Sequence, residues 1–508
     1  MASRTLNNII CVVAMLVSLH EAAWGEYRYR LHLDGKPESQ YVTLSERAQQ
    51  RREQQGIALD STDLEVSPLY LDALKADGLQ VLTQSHWLNS VVVMSPDGTA
   101  IDEERLWSFG FVTRIDTLTT TQRASARRRF EPTDDAGSGT GVIPAGDNCT
   151  TPLRQVNAYK SLYEAGYRGA GKLVAILDAG FLDVNRWSWL LDRVIGTRDL
   201  YARTEAESQI YTSDSHGTCC YSIMVTPKSH GVCGTAQEAD YYLIRTETVE
   251  SESSLEEDMW VAGAELADSI GADVISSSLG YYEFDKGLVS HTQDEFGQGT
   301  AQISRGAEVA CHKGMLVCNA AGNEGTNAWK RLLFPADVEE VLTVGGVNSN
   351  GAVTSFSSRG FTVPYVKPDV LARASQCYTI NLNSPTGGAT SSGAGTSYAT
   401  PLMAGLCTSL WSAVPELTPA QIRDAVRQSA SYSEHPDSIH GYGIPDFAEA
   451  LRLAREWTGH VEEGISTIDA DSHPHDAMRY TISGQPVGVD DRRGLTIENG
   501  RVVFRREE

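Results

Sequence analysis

The chain has 508 residues, 41% hydrophobic and 21% charged, with a formal net charge of -24. That length allows two to four domains. The acidic balance excludes a sequence-independent nucleic-acid binder, which needs basic surface to neutralise phosphates; it fits a soluble protein in an exposed compartment and names no substrate.

Residues 1–25 read as a secretory signal peptide. Arg4 supplies the charge, Ile9 to Leu19 the apolar core, and Ala23-Trp24-Gly25 the small residues of a cleavage site. The apolar run is short for a bilayer span, which favours cleavage over an uncleaved anchor. Of nine cysteines, Cys11 leaves with this segment, and sequence alone does not choose a pairing for the rest.

Residues 26–125 form a small α+β unit. "YRYRLHL", "LQVLTQ", "SVVVMS" and "FVTRIDTL" read as strands, and "LSERAQQRREQQ" as a polar helix capped by Ser45. Residues 126–148 carry Arg127, Arg128 and Arg129, then acids, Gly and Ser, with no apolar period. They read as an exposed linker and a candidate processing site, or as a solvated charge run.

From about residue 149 to 455 apolar runs alternate with helical stretches. "KLVAILDAG", "ADVISSSLG", "GMLVCNAAG" and "EVLTVGGV" are short and nearly continuous, as buried parallel strands are when helices cover both faces. The fold class is therefore α/β with an open, doubly wound, mostly parallel sheet. Functional groups in such sheets gather past the carboxyl ends of the strands. Two late helices are well signalled. One follows Ser397, with Ala399, Met403, Leu406 and Leu410 on one stripe; the other has Thr418 as cap, Pro419 first and Gln421 completing a capping box.

Four polar residues fall where this pattern puts chemistry. Asp178 ends a strand, His216 opens a helix, Asn323 follows a strand, and Ser397 opens a helix in "GTSYATPLMAG". A serine hydroxyl needs a base to become a nucleophile; histidine serves near neutral pH, and a carboxylate behind it fixes the tautomer. An Asn amide and the backbone N–H of Ser397 would stabilise an oxyanion. Alone, each residue reads as a cap or a turn former.

These segments resemble the subtilases, the subtilisin-like serine endopeptidases. The resemblance rests on "GTSYATPLMAG", on "HGT" at 216–218, on "AAGNEG" at 320–325, on "SSLG" at 277–280 and on "KPDV" at 367–370. It implies an Asp178, His216, Ser397 triad with Asn323 in the oxyanion hole. It implies a substrate-binding wall of Ser278, Leu279 and Gly280, with Ala320, Ala321 and Gly322 opposite and Glu324 at the pocket rim. The family usually has Thr or Ser after the aspartate, where this chain has Ala179. The short, acid-poor "TPKSHGVCGTAQ" implies that the calcium loop of many subtilases is missing, so no metal and no cofactor are expected. Cys219 and Cys220 follow His216; packing or a disulfide is their expected role, since zinc needs further ligands.

Residues 26–125 resemble the propeptides of secreted bacterial subtilases, which assist folding and block the cleft, so the chain's own propeptide is an expected partner beside polypeptide substrates. The acidic run Glu247 to Asp258 reads as a solvated face or a flank of the cleft that favours basic side chains. Residues 456–508 form a C-terminal extension whose last strand-like runs resemble the sorting segments of Gram-negative outer-membrane export; a terminal β-hairpin packed on the core is the plain alternative. The expected protein is a secreted or cell-surface endopeptidase made as a zymogen. The rivals are a nucleotide-binding oxidoreductase, which lacks its fingerprint here, and a catalytically silent binding protein on the same scaffold, which should have lost one of the four residues.

Overall fold

The computed structural model describes residues 27–118, 147–249, 252–285, 288–384 and 390–459, and four short strands beyond them. The expected leader and nearly all of the linker lie outside the described residues. In the N-terminal layer, β1 (Arg28–Leu33), β2 (Gln80–Ser85), β3 (Ser90–Met94) and β4 (Val112–Thr117) pair antiparallel in the order β2-β3-β1-β4. These are the strands that alternation predicts, and Leu31, Val91 and Val93 form their core with Leu74 and Leu106. Helix α1 (Glu46–Gln54) begins at Ser45, whose hydroxyl accepts the Ala48 N–H at 3.1 Å. Helix α2 (Pro68–Ala76) was not foreseen, although Ser67 followed by a first-turn proline is a start signal.

The main sheet has seven strands: β5 (Leu173–Asp178), β6 (Val194–Asp199), β7 (Asp240–Arg245), β8 (Val274–Ser277), β9 (Leu316–Ala320), β10 (Leu342–Val347) and β11 (Val370–Arg373). All pair parallel in the order β11-β10-β9-β8-β5-β7-β6. Helices α3 (His216–Val225) and α6 (Thr396–Ala413) contribute to the core on one face, and α4 (Leu255–Ile270) and α5 (Gln302–His312) to that on the other. A central strand must therefore be apolar on both sides: in β5, Val174 and Ile176 join the first core, Leu173, Ala175 and Leu177 the second. The chain runs from β5 to β6 on one side and later to β8 on the other, so β5 stands at the point where the winding reverses. That is where an open α/β sheet leaves a crevice.

The expected pattern needs one correction here. Not every strand follows a helix: among the described residues, 321–341 before β10 carry none. Helices α7 (Pro419–Gln428) and α8 (Phe447–Thr458) close the body. The capping box at α7 forms as read, with the Thr418 N–H on Gln421 Oε1 at 2.9 Å and the Gln421 N–H on the Thr418 hydroxyl at 3.3 Å. The body ends at Gly459. Strands β12 (Cys377–Ile380) and β13 (Thr390–Gly393) form an antiparallel pair. A separate unit from His460 onward holds β14 (Arg479–Thr481), β15 (Pro486–Val487), β16 (Gly494–Glu498) and β17 (Arg501–Arg505) in the order β15-β14-β16-β17.

The N-terminal layer packs on α4 and α5 through charge as much as apolar surface. Trp87 and Leu88 enter the second core, and Val92 and Leu118 meet Leu255 and Met259. The polar helix α1 turns Arg51 and Arg52 inward, where both pair with Asp268 of α4, and Arg52 also reaches Asp63 at 2.8 Å. Arg30 grips Asp258 at 2.6 and 2.8 Å, Lys313 reaches Asp63 at 2.8 Å, and Glu265 accepts from the Ser85 hydroxyl at 2.6 Å and the Trp87 N–H at 3.0 Å.

This corrects the reading of the acidic run. Glu256, Glu257 and Asp258 are buried in the first turn of α4, where a carboxylate opposes the helix dipole. Asp258 meets Arg30, Glu257 meets His291 at 3.1 Å, and Glu256 accepts the Thr248 N–H at 3.1 Å. They are not a solvated face.

A second buried ionic group ties β11 to α7. Lys367 is fully buried, with Nζ 2.8 Å from the Asp369 carboxylate and 3.2 Å from the Thr343 hydroxyl, and Arg427 pairs with the same Asp369.

Candidate active site

Asp178 is the last residue of β5, at the winding reversal, and is fully buried. Its Oδ1 accepts the Ala179 N–H at 2.8 Å and lies 2.8 Å from His216 Nδ1. A carboxylate only accepts, so Nδ1 carries the proton and Nε2 is left as the basic nitrogen. Asp178 Oδ2 is buried without a hydrogen-bond partner among the described residues; the side chain that follows, Ala179, has no hydroxyl to offer it.

His216 is placed by the start of α3. Its backbone N–H donates to Asp214 Oδ1 at 2.7 Å, and Thr218 anchors the turn through the Leu182 carbonyl at 2.8 Å. Gly217 is needed for the approach: a Cβ there would lie 2.4 Å from the Gly180 carbonyl oxygen and 2.9 Å from Asp178 Cβ. Burial pushes the imidazole pKa down, but the charge of Asp178 and its hydrogen bond outweigh that and raise it well above 6.5.

Ser397 is the second residue of α6 and is buried. Neither Thr396 nor Ser397 caps this helix. The cap position is Gly395, at φ +147°, which favours glycine, and it makes no side-chain cap bond. The capping is done from outside: Asn323 Oδ1 accepts the Thr396 N–H at 2.9 Å and the Thr396 hydroxyl at 3.1 Å. Because an N–H demands an acceptor, the amide is oriented with Oδ1 toward Thr396 and its NH₂ away. The Thr396 hydroxyl also accepts the Gly322 N–H at 3.2 Å, joining the Asn323 loop to the helix start.

The serine and histidine elements meet. Cys220, one turn beyond His216, has its sulfur 4.0 Å from both ring nitrogens of His216 and donates to the Ser397 carbonyl at 3.3 Å. The rings of Tyr398 and His216 are 6.2 Å apart. Sequence reading gave Cys220 packing or a disulfide; it packs against the site itself, and no disulfide joins the described cysteines. Burial raises the Cys220 thiol pKa and takes that of Cys219 to about 12, so both stay protonated at neutral pH. The ligand atoms of Asp178, His216 and Cys220 lie within 4.8 Å of one another, a set that includes a soft donor.

Of the other expected residues, Ser278 and Gly322 hydrogen-bond to the start of α6. Ser278, Leu279 and Gly280 follow the end of β8. The Ser278 carbonyl oxygen lies 3.5 Å from Ser397 Oγ, and its hydroxyl donates to the Ser397 carbonyl at 2.8 Å. The Leu279 side chain is buried in the second core, so only its backbone remains for a ligand. Its carbonyl accepts from Asn319 at 3.0 Å. Ala320 ends β9; Ala321 and Gly322 run on from it, and Ala321 accepts the Leu333 N–H at 3.2 Å. Glu324 is half-buried and hydrogen-bonded to Asn327; burial first, then the nearby Glu283, raises its pKa.

Known proteins resemble this chain in sequence and in fold. Residues 169–443 match the model of the subtilase family, and residues 29–132 that of the peptidase S8 propeptide domain of Bacteroidota. Subtilisin E of Bacillus subtilis is 30% identical over 283 residues, 55% of this chain and 65% of that protein. Serine protease AprX of the same organism is 28% identical over 304 residues, 54% of this chain and 65% of that protein. The chain thus spans just under two thirds of each. Among solved structures, the epidermin leader peptide processing serine protease of Staphylococcus aureus shares the fold, with TM-score 0.57 and 17% identity over 85% of this chain and 99% of that one. Fervidolysin of Fervidobacterium pennivorans, a keratinolytic enzyme, does so with TM-score 0.56 and 17% identity over 85% and 61%.

Proposed function

The chain belongs to the subtilase family, and from that membership we propose that it is a serine endopeptidase, made as a zymogen and exported. The observation that carries this reading is the Asp178–His216 hydrogen bond of 2.8 Å, which leaves His216 Nε2 as a base beside the helix start that presents Ser397.

In this reading Ser397 Oγ attacks the carbonyl carbon of a peptide bond while its proton passes to His216 Nε2. Asp178 stabilises the imidazolium without taking the proton. The oxyanion is met by the Asn323 amide NH₂, already turned away from Thr396, and by the Ser397 backbone N–H. His216 then protonates the leaving amine, the acyl-enzyme forms, and water activated by the same histidine releases it. Ser278, Leu279 and Gly280 on one side and Ala320, Ala321 and Gly322 on the other hold substrate backbone, and Glu324 at the rim favours a basic side chain. The residues matched by the propeptide model are the partner that covers the enzyme before activation. Export through the N-terminal leader, and sorting by the last strands, complete the proposal; deleting 477–508 and fractionating the cells tests the sorting, with unchanged export as the contrary result.

A fluorophosphonate probe tests the chemistry. Mature protein is expected to be labelled, and Ser397→Ala to remove the label. Unlabelled mature protein, or label that survives the substitution, defeats the reading and leaves a silent binding protein.

A further inference from the structure

Hydrogen-bond accounting at the start of α6 leaves one carbonyl over. In an α-helix the carbonyl of residue i accepts the N–H of residue i+4. For Ser397 that residue is Pro401, which has no N–H. Proline costs little among the first residues of a helix, whose N–H groups lack partners anyway. Pro401 lies further in, because the helix begins at Thr396. Ser397 is 1% exposed, so its carbonyl is shielded from bulk water.

Side chains from two other elements fill the gap. The Ser278 hydroxyl donates to the Ser397 carbonyl at 2.8 Å and the Cys220 thiol at 3.3 Å. Burial keeps Cys220 a thiol with a proton to give. One donor stands just past β8, on the segment that faces substrate; the other is one turn along the helix that begins at His216. Three elements therefore meet on a single oxygen that belongs to Ser397.

We propose that Pro401, Ser278 and Cys220 form a positioning device for the nucleophile: the proline withholds the helical donor from the Ser397 carbonyl, and the two side chains take that carbonyl and fix Ser397 against the strand end and the His216 helix. This rests on the reading of Ser397 as the nucleophile. Pro401 and the Ser278 hydroxyl act through the backbone of Ser397; the Cys220 thiol does so too, and its sulfur also lies 4.0 Å from both ring nitrogens of His216. Restoring an N–H at position 401 would let the helix reclaim the carbonyl and make the side-chain donors redundant.

The test measures fluorophosphonate labelling rates and steady-state peptide hydrolysis on protein expressed as the full chain and then matured. Ser278→Ala is expected to slow labelling about tenfold, the worth of one hydrogen bond, lowering kcat with little change in KM. Cys220→Ser keeps a donor and should stay near the wild-type rate, while Cys220→Ala should not. In a Pro401→Ala background, Ser278→Ala should cost much less than in the wild type. Equal cost in both backgrounds, or equal slowing by Cys220→Ser and Cys220→Ala, overturns the inference. Should Ser278→Ala fail to fold, the Cys220 pair decides alone. Wild-type protein that labels at Ser397 with a flat variant series defeats only the device; wild-type protein that does not label defeats the nucleophile itself.

Discussion

Asn323 spends its side-chain oxygen on the backbone N–H of Thr396, 2.9 Å away, and so has only its NH₂ left to offer a ligand. Asn323→Leu removes that donor. The expected outcome is a kcat lower by about 10²–10³ with KM little changed, the usual loss for one oxyanion donor. Steady-state kinetics on a peptide ester and a peptide amide check it. Asn323→Asp should fail as badly, because a carboxylate has no proton to donate.

The pH profile follows from the sign of the His216 shift. Its pKa is raised well above 6.5 by Asp178 acting against burial. Only the neutral imidazole accepts the Ser397 proton, so kcat/KM should climb as pH rises through a value above the 6.5 of a free imidazole. Asp178→Asn should shift the inflection down while reducing the maximal rate. A profile already flat from pH 6 upward contradicts the assignment.

Soft metal ions should inhibit. The ligand atoms of Asp178, His216 and Cys220 lie within 4.8 Å of one another, and an ion held there would occupy the base. Cadmium or mercuric ion should inhibit wild-type enzyme reversibly by chelator, and Cys220→Ser should be several-fold less sensitive while keeping its rate. Equal inhibition of both proteins would place the ion elsewhere.

Much of this site was legible in the sequence because its residues mark element ends. Asp178 closes an apolar run, His216 and Ser397 open helices, and glycines flank them for close packing. What was illegible depends on which faces meet. Cys220 looked like core or a disulfide partner because nothing local says that its sulfur faces Ser397. Pro401 was the available signal: a proline four residues after a buried serine leaves that serine's carbonyl in search of a donor. The acidic run at α4 failed for the same reason. Charge runs are usually solvated, and only the packing of β1 on α4 shows that Asp258 has Arg30 as its partner. The polar helix α1 is similar, since its buried face is ionic and gives no apolar period.

That ionic face predicts a large cost for breaking it. Asp268 is fully buried and holds both Arg51 and Arg52. Asp268→Ala in the full chain leaves the buried Arg51 without its paired carboxylate and Arg52 with Asp63 alone, and should destabilise it by about 3–5 kcal/mol. The unfolding midpoint in urea reads it directly. A replacement within about 1 kcal/mol of wild type would mean that the layer does not depend on this contact.

His291, between Glu257 and Glu295 at 3.1 and 3.0 Å, links stability to pH. Burial lowers its pKa, and the two carboxylates more than reverse that, raising it from 6.5 to about 9. Its stabilisation is fully present below about 6.5 and is lost as pH rises through about 9, a change of roughly 3 kcal/mol. His291→Phe should therefore lower Tm most at pH 6 and least at pH 10.

Lys367 titrates in the opposite sense. Burial, with Arg427 adding to it, brings its pKa from 10.5 down to about 8 against the pull of Asp369. Between those values the unfolded chain binds a proton that the folded chain does not, so stability rises with pH by a similar roughly 3 kcal/mol. One titration takes away what the other returns. The stability contributed by this pair should dip as the solution turns weakly alkaline, level off where the two overlap, and recover in stronger base, where Arg427 and the Thr343 N–H continue to hold Asp369. His216, raised by Asp178 in the same sense as His291, adds to that descent, so the chain gives up folding stability over the range in which its imidazole turns neutral.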